Sequence, residues 1–187
     1  MINRHLLQAY YSRANWTRET AEYVKCHNLD VSTFEVPAVT LAIIPCRHEN
    51  GFFQFASGGV PSVVIEVTYQ AQPVDLVAWT VGGPEQISLM TGSADGLGCD
   101  QVEAPWSWFD RESLPVHRTP LCWLKAGCIG VCILNHRTAP VWLSKAIGRL
   151  EAEDRQHAVE LHGLLNISFP RSRIRFSISI GGQEDAA

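Results

Sequence analysis

The stretch "PLCWLKAGCIGVCILNHRTAPVWL", residues 120–143, carries three cysteines, two tryptophans and a histidine. Thiols and imidazoles at that density suit a metal centre or a reactive thiol. Structural zinc takes four ligands, usually in close pairs such as C-x2-C. Here Cys122, Cys128 and Cys132 stand in a C-x5-C-x3-C spacing, among the core formers Ile129, Val131, Ile133 and Leu134. Positions i and i+4 of a strand lie about 13 Å apart, too far to share one ion. The run "CIGVCIL" therefore reads as a buried strand whose thiols are packing residues. Gly130 within it would admit a close neighbour, the helix carrying Trp142.

A second metal possibility is Cys26 and His27 ("CH") with Cys46 and His48 ("CRH"), if those element ends meet in space. Their spacing follows no zinc pattern, so no metal and no cofactor is expected. "TGSADGLG" (91–98) is rich in glycine, as a phosphate cradle would be. It lacks the P-loop lysine and carries Asp95, which repels phosphate, so it reads as a surface loop. Glu153 and His157 stand four apart with Asp154 beside them, a pattern for proton transfer or a metal. Capping acids and a solvated histidine are the plainer account. Neither G-x-S-x-G nor a cysteine-hydrolase signature is present. Cys99, Cys128 and Ser93 are the conceivable nucleophiles, and no catalytic residue is assigned.

The binding candidates are two. "WSWF" places Trp106 and Trp108 after Pro105, as interface anchors or as plugs for a core. "RSRIRFSISI" places Arg171, Arg173 and Arg175 on one side of a strand, opposite Ile174, Phe176, Ile178 and Ile180. Such a stripe can meet phosphates or an acidic partner, or blunt a sheet edge.

The elements that must position these residues follow from periodicity. Residues 3–25 read as helix in two pieces, with Leu6, Leu7, Tyr10 and Ala14 inward, then Tyr23 and Val24 in a piece capped by Asn15. "AVTLAIIP" reads as a strand ended by Pro45. "SVVIEVTYQ" and "VDLVAWTV" form a hairpin across a short link, with Val63, Ile65, Val67 and Tyr69 on one face. Residues 82–118, rich in Gly, Pro and Trp, read as mostly loop. Beyond them, Thr119 caps a helix with Pro120 at its first position and Gly127 near its end. A strand, a short helix at "TAPVWLSKA" and a strand at "IGRLEAE" follow. Then comes a helix at "EDRQHAVELHGLLN" with Ala158, Leu161, Leu164 and Leu165 inward. The expected fold is α+β to α/β: an N-terminal helix and antiparallel sheet, then a small α/β layer. The whole of 1–187 is expected as one compact domain, with 82–118 as a seam between two lobes.

The 187 residues are 46% apolar and 18% charged, with a formal net charge of −4. That balance supplies no global positive field for nucleic acid or anionic lipid. The apolar runs fall short of the roughly 20 residues a membrane span needs, and the start does not read as a signal peptide. A cytoplasmic protein with reduced thiols and no membrane partner is expected.

The stretch "VHRTPLCWLKAGCIGVCILN" followed by "LEAEDRQHAVELHGLL" resembles uncharacterised proteins of proteobacterial prophages and other mobile elements. That resemblance covers about a third of the chain and implies no activity. The same half resembles the α/β core of toprim domains in primases and topoisomerases. Their chemistry rests on a glutamate after one strand and a D-x-D pair after another. "RTPL" stands in the glutamate's place here and "EAED" in that of the acid pair, which implies a core without the catalytic metal site. The functional expectation is a non-enzymatic interaction protein, carried by a mobile element, that binds a host or element protein. The alternatives are a thiol- or serine-dependent enzyme, and a nucleic-acid accessory protein using the arginine stripe on a degenerate toprim-like core.

Overall fold

The computed structural model describes residues 2–30, 40–82, 86–108, 112–165 and 174–176. Helix α1 (Arg4–Tyr11) starts where the Asn3 side chain accepts from the His5 amide. Helix α2 (Arg18–Cys26) is capped by Thr17, whose hydroxyl accepts from the Thr20 amide. Asn15, expected as that cap, instead closes the turn before it, its amide bonded to the Arg13 carbonyl. Tyr10, Tyr23 and Val24 are buried, as their spacing requires.

Five strands then close into a barrel in the order β1 (Leu41–Glu49), β2 (Phe52–Phe55), β5 (Ser88–Leu89), β4 (Gln72–Thr80), β3 (Val60–Tyr69). The expected antiparallel sheet is thus present but closed. Closure depends on one parallel contact, Phe52 opposite Leu89. β5 is too short to leave a period in the sequence. β1 does not end at Pro45. Pro45 faces Pro61 across the β1–β3 pair. Their carbonyls turn outward, to the amides of Ala56 and Val81, both at 3.0 Å. The ladder between the two prolines therefore needs no N–H from either. The β1–β2 turn is Asn50-Gly51, with φ of +51° and +80°. That is the left-handed pair a two-residue hairpin prefers.

β3 is buried on both faces. Val64 joins Ala42, Ile44, Cys46, Phe53, Leu76 and Ala78 in the barrel interior, with α1 closing over them through Tyr10. Val63, Ile65, Val67, Val77 and Trp79 face outward into a second core, shared with Tyr23, Trp123, Leu124 and Cys132. That core joins the two halves of the chain. Residues 82–118 are more structured than expected. They hold β5, β6 (Gly96–Leu97), α3 (Asp100–Glu103), a 3-10 turn (Pro105–Trp108) and β7 (Ser113–His117).

The second sheet runs β10 (Ile174–Phe176), β9 (Arg149–Ala152), β7, β8 (Val131–Ile133), β6. Its first three pairings are parallel and the last is antiparallel. Helix α4 (Pro120–Lys125) links β7 to β8, α5 (Ala139–Leu143) links β8 to β9, and α6 (Arg155–Leu165) links β9 to β10. α4 lies against the barrel, while Trp142 and Leu143 of α5 pack with Leu161 and Leu165 of α6 in a third core. Each such side chain contributes about 1.5–3 kcal/mol by leaving water. α4 has the expected start: the Thr119 hydroxyl accepts from the Cys122 amide, with Pro120 in the first turn. Among the described residues no helix is long and apolar enough to cross a membrane.

Two readings of the opening stretch need correction. The strand covers only Val131–Ile133. Cys128 sits before it in the left-handed turn that closes α4, at φ +61°, its amide bonded to the Trp123 carbonyl. Cys128 and Cys132 therefore do not share a face of one strand. Gly130, at φ +85°, makes room for Pro115 of β7, against whose carbonyl a Cβ would collide. It is Gly96 that lies under Trp142, a Cβ there falling 3.2 Å from the indole.

Candidate functional site

A dense polar cluster lies beyond the carboxyl ends of β7 and β9. Arg118 leaves the end of β7 and meets the Asp154 carboxylate at 2.8 and 3.2 Å and Glu160 at 3.3 Å. Its amide donates to Glu153 at 3.2 Å. His117 donates through Nε2 to the Ile129 carbonyl at 2.9 Å, which leaves Nδ1 3.6 Å from Glu153. Asp154 and His157 form a reciprocal cap at the start of α6. The His157 amide donates to Asp154 at 2.7 Å, and the Glu153 amide donates to His157 Nδ1 at 3.2 Å. The bond from the His157 amide, with the Arg118 guanidinium, holds the Asp154 carboxyl below its ordinary range. Glu153, Asp154 and His157 thus converge as the sequence grouped them, but His157 is no solvated histidine. It is 5% exposed, and burial, aided by Arg118, lowers its pKa.

A crevice of about 510 Å3 opens here, with His117, Arg118, His136, His157 and Glu160 around Ile133, Leu161 and Leu164. Motif search missed His117, Arg118, His136 and Glu160. The signal that finds them is position: they follow parallel strands or line the helix after one. Of the "RTPL" and "EAED" segments, Arg118 meets Glu153 and Asp154 directly. Arg118 fills the space between the acids with its own cation.

The second metal candidate separates. Ile43 and Pro45 of β1 line an outer groove with Cys26 and His27, while Cys46 is buried in the barrel interior. His48 bonds Ser88 through Nδ1 at 3.0 Å and Ser62 through Nε2 at 2.8 Å. Among the described residues no three His, Cys, Asp or Glu side chains are placed to hold one metal ion. The His48 contacts are serine–histidine pairs, yet Ser62 donates its own proton to the Val60 carbonyl at 2.9 Å and is fully buried. That hydroxyl is tied to backbone and closed to a substrate.

The nominated nucleophiles are no better placed. Burial, with the nearby Asp95 and Asp100 charges, pushes the Cys99 thiol up to about 12. Burial alone pushes Cys128 up to about 12. Neither favours a thiolate at neutral pH. The Ser93 hydroxyl accepts from Thr91, and its loop is wrapped around buried Asp75. The Asp75 carboxylate accepts from the amides of Leu76, Thr91, Ser93 and Ala94 at 2.8, 2.9, 2.7 and 3.3 Å. The glycine-rich loop is a clasp on that carboxylate, and only part of it is surface.

The two tryptophans of "WSWF" part company. Trp108 packs over Gly148 and donates from Nε1 to the Val102 carbonyl at 3.2 Å. Trp106, one turn-step away on the same 3-10 turn, is 77% exposed. It borders a cleft of about 390 Å3 with Tyr69, Gln70, Ala71, Asp100 and Glu103. Gln70 and Ala71 form the β3–β4 turn at φ +50° and +57°, where neither residue type is at ease. The Asp100 carboxylate holds that turn, both oxygens 2.9 Å from the Gln70 amide. Glu103 pairs with Lys145 at 2.7 Å.

Of the arginine stripe, Arg171 and Arg173 lie outside the described residues, as do Ile178 and Ile180. Residue 175 is in β10, in register with Glu151 of β9. Ile174 packs against the third core, whereas Phe176 is 39% exposed rather than covered. No protein-family model, no curated protein and no solved structure matches this chain.

Proposed function

We propose that the protein is a non-enzymatic interaction module that grips a basic side chain of a protein partner in the Trp106 cleft. The observation that carries this reading is Trp106 itself, a large aromatic left in water on a turn that Trp108 locks to the core. Rigid exposed tryptophans supply much of the binding energy of interfaces, because little side-chain entropy is lost on contact. The cleft's composition names the partner's chemistry. Tyr69 and Trp106 offer aromatic faces, and Asp100 and Glu103 offer carboxylates. An ammonium or guanidinium is stabilised by both. Lys145 already places its ammonium on Glu103 from inside the chain. The left-handed Gln70-Ala71 turn adds weight, since backbone held in a disfavoured region marks functional edges.

The test is fluorescence anisotropy with labelled Lys/Arg-rich peptides and acidic counterparts, against the parent protein and Trp106→Ala. Saturable binding of basic peptides, weakened at high salt and by about tenfold or more in Trp106→Ala, is the expected result. Equal binding of acidic peptides, or no effect of the substitution, would sink the reading. Circular dichroism should show Trp106→Ala folded, because so little of that ring is buried.

A further inference from the structure

We infer that the crevice beyond β7 and β8 binds a small uncharged heterocycle bearing an amino group, of nucleobase or nucleoside size. Its place in the fold is the first argument. The chain runs from β7 to β8 on one side and then crosses back to β9 on the other side of β7, with α4 and α5 on opposite faces. In open α/β sheets, ligands settle beyond the carboxyl ends of the strands at such a reversal. The crevice, at about 510 Å3, is the size of a small-ligand pocket.

The second argument is an unused donor. The Glu153 amide donates to His157 Nδ1, and burial keeps the ring neutral. The remaining proton therefore sits on Nε2. Among the described residues nothing accepts it, although the side chain is 5% exposed and lines the crevice. A donor that an otherwise buried residue turns to the crevice is placed to meet an acceptor on a ligand.

The third argument is what stands beside it. Glu160 is three residues on in α6, hence on the same helix face, about 5–6 Å away between Cβ atoms. Its carboxylate has accepting capacity beyond its bonds to Arg118 and Gln156. Leu161 and Leu164 continue that face, and Ile133 comes from β8. A flat ring with a ring nitrogen next to an amino group matches this order: acceptor to His157, donor to Glu160, apolar face on the leucines. Charge sets the last limit. Glu153, Asp154 and Glu160 surround the guanidinium of Arg118, which Asp154 and Glu160 already hold. A phosphate approaching that rim is repelled, so the ligand is a base or nucleoside rather than a nucleotide.

The experiment titrates the full chain with adenosine, purine riboside (the same molecule without the amino group) and adenosine monophosphate. Calorimetry gives affinity, and nitrogen-15 spectra of the histidine side chains report the His157 Nε2 proton. Adenosine should bind and shift the His157 signal. Purine riboside and the monophosphate should each bind about tenfold more weakly, the loss expected for one hydrogen bond or one repulsive charge. His157→Asn keeps an acceptor near the Nδ1 position for the Glu153 amide and removes the Nε2 donor. It should stay folded and weaken adenosine about tenfold, and Glu160→Leu, which has no acceptor, should erase the preference for the amino group. Equal or tighter binding of the monophosphate, no preference over purine riboside, or no binding of adenosine up to about 10 mM would each overturn the inference. The Trp106 cleft is a separate surface and stands or falls on its own test.

Discussion

Inside the barrel, His48 commits both ring nitrogens to serines that are themselves sealed. At the end of the α/β layer, His157 commits one nitrogen and keeps the other toward an opening. Both rings are kept neutral by burial. The difference lies in what closes around them. The barrel closes on itself under α1, so α1 and the strands must satisfy the polar groups they enclose. Four of the layer's strands, β10, β9, β7 and β8, point one way, and the turns after them can carry unfinished hydrogen bonding. The same residue type is therefore structural in one region and available in the other.

The comparison breaks hardest where the two regions are joined. Asp75 lies on the outward face of β4, and its carboxylate gathers four amides, three of them from the 91–94 loop that leads into the layer. Asp75→Ala leaves those donors orphaned in a buried site and should cost about 4 kcal/mol, by urea denaturation. Asp75→Asn, which keeps an acceptor on one oxygen only, should cost about half as much. Next in size is Gly130→Ala, at about 3 kcal/mol, from a strained positive φ and a Cβ driven into Pro115. Loss of the crevice without loss of the barrel in that variant would show that the two regions fold apart.

These two residues also show what the chain discloses in advance and what it withholds. α4 was legible in detail because Thr119, Pro120 and Gly127 are local signals, read by backbone groups three or four residues away. Helices α1, α2 and α6 were legible because one face of each is apolar at a period of 3.6. Asp75 was not legible. It sits in an apolar strand, where only the loop that folds back on it, 16–19 residues later, explains a buried charge. The barrel's closure was hidden for the same reason: it rests on one parallel pair between Phe52 and Leu89, far apart in sequence. Pro45 misled because a proline stops a strand only where its N–H would be used. In the site, Glu153, Asp154 and His157 could be grouped from sequence. Arg118 joins them only through the parallel pairing of β7 with β9.

A smaller effect sharpens the histidine contrast. The folded-state pKa values of His27, His48 and His157 are all lowered, chiefly by desolvation. In the unfolded chain such groups take up protons near pH 6.5. As pH falls below that value the unfolded state binds more protons than the folded one, so stability drops, and it levels off below the folded pKa values. Each histidine adds at most about 1.4 kcal/mol per pH unit within its window. Stability from urea titrations should therefore fall between about pH 7.5 and about pH 5, the range in which histidines titrate. His48→Gln and His157→Asn should each flatten the curve. At one fixed concentration, adenosine should restore part of the lost stability in the parent and markedly less in His157→Asn, which would separate the open ring from the sealed one.

The smallest effects concern the thiols of the stretch rich in cysteine, and here the two regions meet again. Cys132 lies within β8, fully buried, in the core shared with Trp79 and Leu124 of the other half. Cys128 lies outside the strand in the turn after α4, half-buried, with its pKa pushed to about 12 by burial. Cys26, at the end of α2, is exposed. Labelling the native protein at neutral pH with a small alkylating reagent, followed by mass spectrometry, should mark Cys26 first. Cys128 should follow slowly, and Cys132 only as fast as the protein opens. Cys132→Ala should cost about 1 kcal/mol through a small cavity in the joining core. Cys128→Ala should cost less, because its turn is exposed on one side and alanine is no better suited to φ +61° than cysteine. Rapid labelling of Cys132 in native conditions would mean that the joining core opens without global unfolding. The barrel and the layer would then be two folding units, and the shared core a contact between them that opens on its own.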